Sequence, residues 1–151
     1  NININETWKS LIGYVPQRPY FFDESIYENI TYEKFIKNKK YLYLNKLLDD
    51  FGIKKFMKSN KLTLHTKIGE DAKKLSGGQA KRLALTRAMI DRPEILILDE
   101  ALDAIDEKSQ IEIIKKLISL KITVVLITHN SNFKKYFKKK YFLNYGKIKN
   151  I

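Results

Sequence analysis

An α/β fold is predicted for this 151-residue chain by three observations. Two short apolar runs, ILIL (95–98) and TVVLI (123–127), have the length and continuous apolarity of strands covered on both faces. A pattern of helical period lies between them, and a third apolar stretch, LIGYV (11–15), stands far upstream. Strands that alternate with helices imply a layered α/β domain, and the stretch at about 31–90 reads as a helical insert in it.

Each element has a local cause. LIGYV is stopped as a strand by Pro16. In DESIYENI (23–30), Ser25 stands three residues before Glu28, a capping box that opens a short helix. Residues 41–51 place Leu44, Leu47, Leu48 and Phe51 on one helical face, and Gly52 ends that helix. The Lys-rich stretch 53–74 is weakly patterned and reads as short helices and loops. Ser76 and Gln79 form a second capping box, followed by a stripe of Ala80, Leu83, Ala84 and Ala88 that ends before Pro93. Asp106 or Ser109 can cap the next helix, with Ile111, Ile114, Leu117 and Ile118 turned inward. Residues 131–139 read as helical, and YFLNYGKIKN (141–150) closes as a hairpin around Tyr145-Gly146.

Composition narrows the class. With 44% hydrophobic and 12% aromatic residues the chain should bury a core. No apolar run approaches the ~18–20 residues of a membrane span. Zero cysteines exclude disulfides and thiolate metal sites. The net charge of +12 rests almost wholly on lysine, 25 of the 29 basic residues, whereas phosphate readout favours the arginine fork. The Lys138-Lys139-Lys140 run is most simply a solvated face.

Chemistry concentrates in four places. ILILDE leads four apolar residues into Asp99 and Glu100, and the C-terminal end of a buried strand is where open α/β sheets bind ligands. Two acids there can divide the work, one holding Mg²⁺ and the other polarising a water. TVVLITH has the same layout, with His129 just past its strand, whereas His65 in LTLHTK reads as a surface residue. YVPQRP holds Gln17 between two prolines that stiffen its loop. LSGGQ (75–79) puts backbone N–H groups and the Ser76 hydroxyl at a helix N-terminus, where the dipole favours an anion. Two glycines in a first helical turn cost about 1 kcal/mol each, which a simple cap does not require.

In this order, the Gln of YVPQ, LSGGQ, ILILDE, a further Asp and the His after TVVLIT resemble the nucleotide-binding domain of ATP-binding cassette transporters, from about Leu11 to Gly146. The resemblance implies a P-loop NTPase-like parallel sheet core with a helical signature-motif subdomain. Residues 31–90 would form that subdomain, and 1–30 and 91–151 parts of the core. It implies that Gln17 is the Q-loop glutamine, contributing to catalysis and to Mg²⁺ binding. It makes Leu75, Ser76, Gly77, Gly78 and Gln79 the signature, which with the D-loop Asp106 contacts ATP held by a partner domain. Asp99 is similar to the Walker B aspartate that holds Mg²⁺, Glu100 to the catalytic glutamate and His129 to the switch histidine. Ala101, Leu102 and Asp103 depart from the family's usual residues before the D-loop.

TKIGEDAKK resembles the segment before the signature in exporters, with Thr66, Gly69 and Glu70 matching and Ala72 in place of a glycine. The aromatic residues of YVPQRPYFFDESIYENI resemble the exporter Q-loop region that faces the coupling helices of the membrane domain. The expected function is ATP hydrolysis coupled to export across a membrane. The expected partners are a second nucleotide-binding domain, paired head to tail, and a transmembrane domain of the exporter, at the cytoplasmic face of the cell membrane. No nucleic acid is expected. A cassette ATPase acting on ribosomes or DNA and a non-catalytic remnant are the alternatives. The pattern G-x-x-x-x-G-K-[ST] occurs nowhere in the 151 residues. A C-terminal portion of one nucleotide-binding domain, inactive alone, is therefore expected.

Overall fold

Strands β1 (Ile12–Val15), β2 (Ile95–Asp99) and β3 (Thr123–Ile127) form a parallel sheet in the order β1-β2-β3. The computed structural model describes Trp8, residues 11–33 and residues 37–150. Parallel neighbours need long crossovers. Residues 16–94 supply the first, and α5 (Glu107–Ser119) lies in the second. Val15 pairs with Leu98 and Asp99 with Ile127. Continuing that register, Gln17 falls level with Glu100, and His129 lies one residue beyond them.

The pleat sorts the sheet into two faces. Val15, Leu96 and Leu98 are buried in one core with Leu83, Ala84, Ile113, Ile114 and Leu117. Tyr14, Ile95, Val125 and Ile127 point the other way and are exposed. The expected cover of ILIL and TVVLI is present, among the described residues, on one face of the sheet. Among the described residues, the helices pack apolar side chains against one face, and β3 alternates between half-buried and exposed positions.

Helix α1 (Ile26–Thr31) opens with the expected capping box, Ser25 accepting from the Glu28 N–H and Glu28 from the Ser25 N–H. Buried Asn29 ties the preceding loop to it. Its Nδ2 donates to the carbonyls of Phe22 (3.0 Å), Glu24 (3.2 Å) and Ser25 (3.1 Å), and its Oδ1 accepts from the Phe22 N–H (2.9 Å). Leaving such groups unpaired in the interior costs about 1–3 kcal/mol. Asn29→Ala should therefore lower unfolding free energy by about 2 kcal/mol, read by urea denaturation followed by circular dichroism. A loss under ~0.5 kcal/mol would show that water satisfies the loop instead.

Helix α2 (Asn38–Asp50) buries Leu44, Leu47 and Leu48, with Phe51 buried just after it, and Gly52 adopts a left-handed φ of 72° that breaks the helix. Helices α3 (Ile53–Ser59) and α4 (Gly77–Met89) follow, and a 3₁₀ turn at Glu70–Ala72 precedes α4. Helix α4 packs on α1, α2, α3 and β1, so the helix opened by LSGGQ is central to the domain.

Two expectations shift. In α5 the buried stripe is Gln110, Ile113, Ile114 and Leu117, while Ile118 is exposed. The helix is rotated by about one position because polar Gln110, and not Ile118, faces inward to donate to the Leu102 carbonyl (2.7 Å). The segment expected to be helical at 131–139 is a 3₁₀ helix at Ser131–Tyr136. The closing hairpin forms as expected from β4 (Tyr141–Asn144) and β5 (Lys147–Asn150), with both turn residues, Tyr145 and Gly146, at positive φ.

Candidate functional site

The three parallel strands end together, and the residues just past them meet. Glu100 carries the centre. Its Oε1 lies 3.0 Å from His129 Nε2, and its Oε2 accepts from Gln17 Nε2. The Glu100 side chain is 21% exposed, whereas the His129 ring is 90% exposed at the rim. Sequence positions 17, 100 and 129 thus converge on one carboxyl group.

Asp99 lies on the open face of the sheet, one residue before Glu100. Tyr14 shares that face and donates from its hydroxyl to Asp99 Oδ2 (3.2 Å). Desolvation, with the Asp99 carboxylate beside it, pushes the Tyr14 phenol up, so it remains a donor at neutral pH. Among the described residues no group of three or more acids and histidines is arranged to hold a metal by itself. A single carboxylate at a strand end still suits Mg²⁺, which keeps several waters and takes its other ligands from phosphate oxygens. The residues fit.

The backbone at Glu100 is unusual. Its φ of 46° is left-handed, a region that a residue with a Cβ enters only when its surroundings hold it there. Two hydrogen bonds do so. The Glu100 N–H donates to the Ile127 carbonyl (3.0 Å), and the Glu100 carbonyl accepts from Lys81 Nζ (3.1 Å). Lys81 also donates to the Gln17 carbonyl. This lysine is only 8% exposed, and sequence reasoning missed it. A signal existed, because Lys81 shares a helical face with Ala84, Leu85 and Ala88, where a charge needs an explanation.

LSGGQ forms the start of α4 as its capping box predicts. The Ser76 hydroxyl accepts from the Gln79 N–H (3.3 Å), and the Ser76 N–H donates to Gln79 Oε1 (2.9 Å). Gln79 therefore caps the helix with its amide oxygen. Ser76 and Gly77 are exposed, and Leu75 packs against the core. A Cβ on Gly78 would meet the Ala104 carbonyl oxygen at 2.7 Å, while one on Gly77 would have 3.4 Å to Ala104 Cβ. Gly78 is thus demanded by packing within the chain, whatever binds there. Packing gives Gly78 a reason of its own beside ligand approach, whereas Gly77 has no such close backbone contact.

Asp106 caps α5 by accepting from the Ser109 N–H (3.0 Å) and pairs with Arg82 (3.5 Å). The Ser109 bonds, with Arg82 nearby, hold the Asp106 carboxyl below the usual carboxylate range. Asp103 is exposed and takes neither role. His65 is exposed, as expected.

The sequence profile described as ABC transporter matches residues 1–103. This chain belongs to the ABC transporter family. Its ABC transporter relatives include a putative export ATP-binding/permease protein of Rickettsia typhi, 40% identical over 127 residues, covering 80% of this chain and 21% of that protein. The lactococcin-A transport/processing ATP-binding protein LcnC of Lactococcus lactis subsp. lactis is 36% identical over 121 residues, covering 80% of this chain and 17% of its own length. The solved structure of a bacterial Atm1-family ABC exporter with ATP bound superposes with a TM-score of 0.80 at 25% identity, over 91% of this chain and 24% of that one. The ABC transporter chain described here therefore spans about a fifth of the length of these relatives. No helix among its described residues is long and apolar enough to cross a membrane.

A second surface of this ABC transporter chain stands out. Exposed Tyr20, Phe22 and Tyr32 stack edge to face, with ring centroids 5.3 and 6.4 Å apart. Arg87 lies 5.6 Å over Tyr32 and donates to the Tyr20 carbonyl (2.9 Å). These rings border a groove of about 540 Å³ beside β1.

Proposed function

We propose that this chain is part of the ATP-hydrolysing domain of an exporter, with residues 1–30 and 91–151 in the α/β core and 31–90 as the helical subdomain. The observation that carries the reading is the convergence of Gln17 and His129 on the Glu100 carboxylate. Glu100 acts as the general base that orients and deprotonates the attacking water. His129 and Gln17 stand at its two oxygens, which fixes the orientation of the carboxylate. Asp99, oriented by Tyr14, is the carboxylate for Mg²⁺. When bound with ATP, Mg²⁺ neutralises charge on the phosphate oxygens.

Ser76 and the N–H groups of LSGGQ, with the dipole of α4, supply an anion site without a lysine, suited to ATP held by a second nucleotide-binding domain. Asp106 braces that site through Arg82. The aromatic groove of Tyr20, Phe22 and Tyr32 is where the transmembrane domain docks, at the cytoplasmic face of the membrane. Without a P-loop the 151-residue chain is inactive by itself.

His129→Ala in the full-length protein containing this chain tests the reading. It leaves Glu100 without its partner at Oε1, and steady-state ATPase kinetics should show kcat reduced about tenfold or more with KM nearly unchanged. Unchanged kcat would remove His129 from the site.

A further inference from the structure

We propose that Lys81 is a positioning residue that locks the Gln17 loop and Glu100 to helix α4, a role that rests on Glu100 being the general base. One buried ammonium donates to two backbone carbonyls from segments 83 residues apart, those of Gln17 and Glu100. Both belong to residues whose side chains bond each other. The Glu100 carbonyl follows a left-handed φ of 46°, so Lys81 holds the backbone where it is least free to relax unaided.

The chemistry explains why a cation stands there. An apolar side chain would leave two inward-facing carbonyl oxygens short of a donor. An ammonium has three donors and can serve both carbonyls together. Burial pushes the Lys81 pKa down, and the carboxylates of Asp103, Glu100 and Asp99 act in the opposite direction. Those carboxylates offset the cost of a charge that is 8% exposed. Lys81 also lies two residues after LSGGQ on the same helix. A displacement of α4 is therefore transmitted to Gln17 and Glu100 through backbone atoms.

The experiment compares Lys81→Met, Lys81→Leu and Lys81→Arg in the full-length protein, with Glu100→Gln alongside. ATPase kcat and KM and the melting temperature are measured for each. Lys81→Met should lower kcat about tenfold or more while KM stays within about threefold, since the base is misplaced and binding is not. Lys81→Arg, which keeps the charge and the donors, should recover most of the rate. In a Glu100→Gln background Lys81→Met should add no further loss of kcat.

Full activity of Lys81→Met overturns the proposal, as does a rise in KM in step with the fall in kcat. An Arg variant no better than Met overturns it too. If Met fails to fold, Leu is judged by the same criteria. If neither neutral variant folds while Arg does, the role is structural stability and the proposal falls. Normal turnover of Glu100→Gln would sink the proposed general base itself. Inactive Glu100→Gln beside fully active Lys81→Met would sink the role of Lys81 alone.

Discussion

Glu100→Gln is expected to abolish most ATP hydrolysis, by about 10²–10⁴-fold in kcat, while leaving ATP binding intact. The amide has the size of the carboxylate and keeps one acceptor for His129 or Gln17, so the shape of the site and one of its two polar contacts at position 100 are preserved. It cannot accept a proton from water, which is the step removed. With chemistry blocked and binding preserved, ATP should hold two nucleotide-binding domains closed, visible as a nucleotide-dependent dimer in size-exclusion chromatography. Asp99→Asn should behave differently. Its charge faces the cation, so apparent Mg²⁺ affinity should fall more than the rate at saturating metal. If Glu100→Gln turned over at the unmodified rate, another group would be the base.

Ser76→Arg has the second large expected effect, and its position in a dimer decides which nucleotide the LSGGQ stretch serves. An arginine at the N-terminus of α4 opposes the helix dipole and fills the space beside exposed Gly77. Take dimers with Glu100→Gln in both protomers so that bound ATP is retained. With Ser76→Arg in one protomer and Asp99→Asn in the other, at Mg²⁺ too low to load the Asp99→Asn site, a signature acting across the interface puts both defects in one composite site. One nucleotide per dimer should then be retained. With both substitutions in the same protomer, the defects fall in different sites and retention should approach zero. The opposite ranking of the two arrangements would mean that LSGGQ serves its own subunit. Nucleotide stoichiometry is the readout, because Glu100→Gln in both protomers removes hydrolysis as a signal.

The position of Gly78 bears on how that stretch is understood. Consecutive glycines in a first helical turn call for a reason, and a ligand is the reason suggested by local chemistry alone. The fold supplies another for one of them, since the Ala104 carbonyl would lie 2.7 Å from a Cβ at Gly78. The start of α4 and the segment leading to Asp106 are pressed together, and Arg82 to Asp106 reinforces the contact at 3.5 Å.

What the sequence determined by itself was everything set by short-range rules. The two capping boxes, the α2 stripe ended by Gly52, the strand at ILIL and the Tyr145-Gly146 turn follow from hydrogen bonding and sterics among residues a few positions apart. The candidate residues Gln17, Asp99, Glu100 and His129 were legible for a similar reason, each standing at or just beyond the end of an apolar strand. The tertiary structure decided what depends on segments far apart in the chain. Register alone makes Gln17 and His129 meet on Glu100, because a parallel sheet aligns strand ends whatever the length of chain between them. Which segments pack on TVVLI could not be read from it, since an apolar run states what a strand tolerates and not what covers it. The inward turn of Gln110 depended on a carbonyl eight residues away in a loop with no pattern of its own. Lys81 was hidden most deeply, because a lysine is buried only where unpaired acceptors already exist, and those acceptors belong to Gln17 and Glu100.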